Sequence, residues 1–217
     1  YKGFIEKELD KEMIQLVYAS HDINIFSLLT NQYLVMKDES NGGIIDVMIW
    51  TGEWLESIYK PSRNSRTIPR TDYFDRVVSK DIYQDMAIDS LYRNQVTMVR
   101  GRAGSGKTLL SLSYAWNIVD KKDGRLVIFF NPTPSKDSIT LGFNKGNLTE
   151  KALQSSLGSM LKSKFGDEYV VEELILSGHI EIMPFTDLRG WDSKSDRETI
   201  ILISESQNLT SELLKMG

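Results

Sequence analysis

The chain has 217 residues, of which 41% are hydrophobic and 26% charged, and a net charge of −4. That composition suits one ordinary domain or a domain with an appendage, and it excludes fibrous repeats and long disorder. No cysteine is present and the only histidines are His21 and His179, which excludes disulfides, thiolate metal sites, thiol nucleophiles and multi-histidine zinc centres. No apolar run approaches the roughly 18 residues that cross a bilayer, so the expectation is a soluble, cytoplasmic protein whose metal chemistry, if any, uses oxygen ligands.

In chain order, Asp10 is placed to cap a helix carrying Met13, Leu16 and Val17 on one face. The β-prone runs Tyr33 to Lys37 and Ile44 to Trp50 flank a Gly42-Gly43 turn and predict a hairpin. Residues 1–58 thus read as a small α+β unit. Residues 59–80 have linker composition and are basic: Lys60, Arg63, Arg66, Arg70, Arg76 and Lys80 face only Asp72 and Asp75. Such a stretch suits either phosphates or a solvated connection. Trp50, Trp54 and Tyr59 precede it, and aromatics of this kind serve either as core or as stacking surfaces for single strands.

From Asp81 a helix bearing Tyr83, Ala87, Ile88 and Leu91 is predicted, then a strand over Gln95 to Arg100, a glycine-rich turn, a helix from Lys107 to about Asp120, and a buried strand over Leu126 to Phe130. Further helices are expected near Thr149 to Lys164 and over Glu168 to Ser177, and strands over Ile180 to Met183 and Thr199 to Ile203. This order defines an α/β fold with a parallel sheet.

Residues 101–108 read GRAGSGKT, the G-x-x-x-x-G-K-[ST] pattern between a predicted strand and a predicted helix. Glycines let the backbone wrap an anion; Arg102, Ala103, Gly104, Ser105, Gly106, Lys107 and Thr108 are candidates to bind ATP, with the N–H groups of residues 104–108 pointing inward at its phosphates. Lys107 would bridge the β- and γ-phosphates, and the Thr108 hydroxyl would ligate Mg2+. After the strand ending at Ile203, Glu205 is a candidate to orient or deprotonate the attacking water and Gln207 to sense the γ-phosphate. Ser204 stands where an aspartate normally holds the hydrated metal, so it is a candidate metal-side residue without charge.

Four ordered segments, GRAGSGKTLLSLSYAW, LGFNKGNLTEKAL, MPFTDLRGWD and ILISESQNLTSELLKMG, resemble the successive motifs of PhoH-like ATPases. NQYLVMKD and DVMIWTGE resemble the β-rich part that precedes the ATPase in the PIN-PhoH branch, and the expectation is that this chain lacks the PIN nuclease of that branch. The resemblance implies a RecA-like P-loop core over residues 81–217, incomplete at its C-terminal side after the acidic segment and so with an exposed sheet edge. It also implies ATP hydrolysis linked to single-stranded RNA, and a ring-shaped homo-oligomer in the intact protein. By motif position it implies that Gln84 contacts adenine and that Arg189 faces phosphate or nucleic acid. Ser204 for aspartate, Asn144-Lys145 for an apolar residue and proline, and Asn131 for arginine depart from the family pattern. The alternatives are a nucleotide-binding regulatory module with little hydrolysis, on account of Ser204, and a small-molecule kinase.

Overall fold

The computed structural model describes residues 3–58, 66–130, 153–154, 156–188, 190–192 and 196–204. By its contacts the chain forms two compact units, one of Tyr1–Thr67 with Val78–Val99 and one of Ile68–Val77 with Arg100–Gly217.

The first unit is built on a mixed four-stranded sheet of β1 (Phe4–Leu9), β2 (Tyr33–Asp38), β3 (Ile44–Trp50) and β4 (Leu55–Ser57), in that spatial order. β1 runs parallel to β2, while β2, β3 and β4 pair antiparallel. Helix α1 (Lys11–Ala19) starts at Asp10, whose carboxylate accepts the Met13 N–H at 2.7 Å, the side-chain cap that the sequence predicts.

Strand alternation sends Leu34, Met36, Met48 and Trp50 to one face, where they pack with Val17 of α1. Tyr33, Val35, Val47 and Ile49 point to the other, against Met86. Both faces are therefore buried, which is why these strands read as largely apolar runs, with Asp46 the charged residue within β3. Trp50 belongs to this core, so it is not a stacking surface. Trp54 is exposed, and Tyr59 lies outside the described residues.

The chain crosses between the units at the two-residue strands β5 (Thr67–Ile68) and β6 (Val77–Val78). Helix α2 (Ile82–Arg93) is capped by Asp81, which accepts the Gln84 N–H at 2.8 Å. Its far end differs from expectation. Residues 95–100 form no strand among the described residues, and Val96 and Met98 are 89% and 79% exposed. The reason is local: the Ser90 carbonyl accepts from the backbone and side-chain amides of Asn94, each at 3.1 Å, and from the Thr97 hydroxyl at 2.9 Å. Side-chain bonds to the helix end thus compete with extension of the chain.

The second unit carries α3 (Lys107–Lys122), β7 (Arg125–Phe130), α4 (Ser156–Phe165), α5 (Glu168–Leu176), β8 (Ile180–Pro184), a 3-10 turn (Phe185–Leu188) and β9 (Thr199–Ile203). The sheet order is β8-β7-β9, all parallel. Leu112, Ala115, Trp116 and Val119 of α3 recur at helical spacing and pack on Leu126, Ile128, Ile180, Ile200 and Leu202, with α4 and α5 completing that layer. On the opposite face, Phe185 and Trp191 cover Val127 and Phe129. There Arg125 lies over the Trp191 ring at 5.6 Å and bonds Glu181 and Thr199, each at 3.1 Å, tying the three strands together. Among the described residues β9 pairs on one side only.

Candidate phosphate-binding loop

The loop of residues 101–106 runs directly into α3, with Gly106 as the helix N-cap at φ 83° and ψ 7°. Gly104 also has a positive φ, 75°. Only glycine adopts this region at low cost. No side chain caps α3, so the N–H groups and positive dipole of its first turn are directed at whatever occupies the loop. Gly101 has a second constraint: an added Cβ would sit 2.9 Å from the Ser105 hydroxyl and 3.8 Å from the Lys107 stem.

Lys107 reaches across the loop. Its Nζ donates to the Arg102 carbonyl at 2.9 Å, and the Ser105 N–H donates to the same oxygen at 3.3 Å. An ammonium has three donors, and one is fixed by the loop itself. Arg102, Ala103, Gly104 and Ser105 are exposed, while Gly106, Lys107 and Thr108 are half-buried. Thr108 is the second residue of α3.

Ser204 follows β9, and its N–H donates to the Phe129 carbonyl at 3.1 Å, extending the β7–β9 ladder by one residue. It is half-buried and brings a hydroxyl, but no charge, to the C-terminal end of the sheet, the end at which ligands bind in parallel α/β sheets. Among the described residues no group of three or more His, Asp or Glu side chains could hold a metal ion. Thr108 and Ser204 each carry a neutral hydroxyl oxygen, a donor type that Mg2+ accepts.

Gln84 lies in the first unit. Its Oε1 accepts the Lys80 N–H at 2.9 Å while its own N–H is held by Asp81, so it closes a reciprocal cap at the start of α2. Glu205, Gln207 and Arg189, together with Asn131, Asn144 and Lys145, lie outside the described residues. Sequence reading missed the Asp89 cluster. Asp89 is 1% exposed and accepts from Tyr33 Oη at 2.9 Å, Arg93 Nε at 2.8 Å and Arg66 Nη2 at 2.7 Å. Arg66, one of the basic stretch, is thus engaged by a buried carboxylate; the i, i+4 spacing of Asp89 and Arg93 was the one local signal of this cluster in the sequence.

A parallel sheet joined to a glycine-lined loop at a helix N-terminus, with a lysine drawn across it, defines the P-loop nucleotide-binding class. Residues 76–217 match the model of the family described as PhoH-like protein, and the chain belongs to that family, whose members are in general ATP-binding P-loop proteins. It is 29% identical over 143 residues to a PhoH-like protein of Mycobacterium leprae, covering 63% of this chain and 38% of the relative. It is 26% identical over 237 residues to Protein PhoH2 of Bacillus subtilis, covering 99% of this chain and 49% of the relative. A PhoH-like protein of Synechocystis is 27% identical over 143 residues, covering 64% of this chain and 42% of the relative. The chain therefore spans half or less of the length of these relatives.

No described helix is long and apolar enough to cross a membrane.

Proposed function

We propose that the chain binds ATP with Mg2+ through residues 101–108 and couples its hydrolysis to single-stranded RNA. The observation that carries this reading is the Lys107 ammonium held 2.9 Å from the Arg102 carbonyl, across a loop whose glycines and uncapped helix end present backbone donors. Lys107 and the loop amides bind and orient the phosphates. Thr108 and Ser204 supply oxygens toward the metal, which when bound neutralises charge on the phosphates. Glu205 is the proposed base, Gln207 the γ-phosphate sensor and Gln84 the adenine contact.

The proposed ATPase core is RecA-like and runs over 81–217, preceded by the 1–58 unit and the 59–80 linker. The proposed setting is the cytoplasm and the proposed assembly a ring. The test is Mg2+-dependent phosphate release with and without single-stranded RNA, beside Lys107→Ala. Release that RNA raises and the variant loses supports the reading; release indifferent to Lys107 refutes it.

A second reading has its own observation. Ser204 is held at the end of β9 by the Phe129 carbonyl, where it offers the metal no negative charge. On that reading the protein binds ATP and hydrolyses it slowly, acting as a nucleotide-sensing module. Tight binding without phosphate release would select it.

A further inference from the structure

The tip of the basic stretch is a built surface. Ile68, Thr71 and Phe74 are buried. The Thr71 N–H donates to the Phe74 carbonyl at 2.9 Å and the Phe74 N–H to the Thr71 hydroxyl at 3.0 Å, which closes a tight turn around Asp72 and Tyr73. Phe74 packs edge-on against Phe165, with ring centroids 5.1 Å apart. The Tyr73 ring lies 5.7 Å from Trp116, edge to face, and 5.2 Å from Phe165. Those two rings meet each other at 4.6 Å. Yet 37% of Tyr73 stays open to solvent. Its orientation is therefore fixed by two aromatic neighbours while part of its surface faces outward.

Arg70 and Arg76 flank Tyr73 at three residues on either side and are exposed, as are Asp72 and Asp75. None of these residues belongs to the phosphate loop. We propose that Tyr73 is a stacking platform for an unpaired base of single-stranded RNA, with Arg70 and Arg76 meeting the flanking phosphates and Asp72 and Asp75 holding the affinity down. This rests on the RNA part of the proposed function and names a surface for it. A ring already held in place loses little entropy on stacking, and every base offers it a π-face. The two carboxylates oppose phosphate, so they weaken the site without altering stacking.

The experiment is equilibrium binding of a fluorescein-labelled oligouridine to the 217-residue chain and its variants, with thermal unfolding and ATP binding measured on each. Tyr73→Ala weakens RNA about tenfold while Tyr73→Phe stays near the parent, as stacking requires. Arg70→Ala and Arg76→Ala each weaken binding and lower the salt slope by about 0.7; Asp72→Asn and Asp75→Asn tighten it. Since Tyr73→Ala removes core contacts as well, 4-thiouridine RNA crosslinked to the parent chain supplies a second readout, and the adduct falls on the 70–76 peptide. Normal RNA affinity in folded Tyr73→Ala, or an adduct confined elsewhere, overturns the platform alone. An absence of RNA binding by a chain that binds ATP overturns the platform and the RNA link together and leaves the nucleotide reading standing.

Discussion

Lys107 Nζ and the carbonyl oxygen of Arg102 are 2.9 Å apart, so the loop organises its own lysine through a backbone group that no side-chain substitution at Arg102 would remove. The loop shape that allows this depends on Gly106 at φ 83°. In Gly106→Ala a Cβ enters the left-handed region at a cost of about 1 kcal/mol. ATP affinity is expected to fall about tenfold or more as the loop relaxes, while the melting temperature moves by only a few degrees. Calorimetric titration beside thermal unfolding separates the two effects.

Ser204 tests the metal side. Ser204→Asp brings a carboxylate to the end of β9, where Mg2+ prefers charged oxygen ligands. The Mg2+ concentration giving half-maximal phosphate release is expected to drop about tenfold, with a higher turnover. An unchanged Mg2+ dependence would place the metal away from this strand end.

Asp89 is a matter of stability. Three donors converge on a carboxylate whose side chain is 2% exposed, and one of them, Arg93, also grips Glu56 at 2.6 and 3.0 Å. Glu56 is in turn held below the usual carboxylate range, chiefly by its hydrogen bonds from Arg93. Asp89→Ala strands Tyr33, Arg66 and Arg93, and is expected to cost about 3 kcal/mol, near the low end for a broken buried pair because both arginines keep contact with water. Urea unfolding followed in the first unit measures it.

Asp46 sets a pH dependence. The residue is 6% exposed, and its carboxyl accepts from Tyr18 Oη at 3.1 Å, Ser57 Oγ at 2.6 Å and the Val47 N–H at 2.7 Å. Burial raises its pKa above the ordinary carboxylate value even so. The folded state thus holds this proton more tightly than the unfolded chain does. The resulting stabilisation is present below the unfolded pKa, near 3.8, and is lost as pH rises through the higher folded value. Asp46→Asn removes that dependence, so the difference in stability between variant and parent is expected to shift in the variant's favour over this window and then level off. Denaturant midpoints at closely spaced pH values above 3.8 would show it.

What was legible in the sequence was whatever rests on local pattern. Asp10 was readable as a cap because it precedes an apolar helical face, and Ile44 to Trp50 and Thr199 to Ile203 as strands because of their β-branched runs. The glycine-rich turn of residues 101–106 leading into α3 was readable because its glycines and Lys107 stand at a spacing with a steric meaning. β1 escaped notice since Phe4–Leu9 carries Glu6, Lys7 and Glu8, and charge of this sort marks an edge strand whose pairing depends on distant residues. Residues 95–100 were misread because β-propensity favours extension, whereas Ser90, Asn94 and Thr97 settle the matter by hydrogen bonds specific to this helix end. The Asp89 cluster joins residues 33, 66, 89 and 93, a long-range assembly that only the fold creates. The setting of Tyr73 is made by Trp116 and Phe165, which lie far from it in sequence.

The central claim is that residues 101–108 bind ATP through Lys107. Its most direct test is titration of the chain and of Lys107→Ala with Mg2+ and a non-hydrolysable ATP analogue, read by calorimetry and requiring no turnover. Saturable one-to-one binding by the parent, weakened about a hundredfold or more in the variant as loss of a charge-assisted phosphate contact predicts, is the expected result. Equal affinity in the two proteins, or no binding by a folded parent, would contradict it.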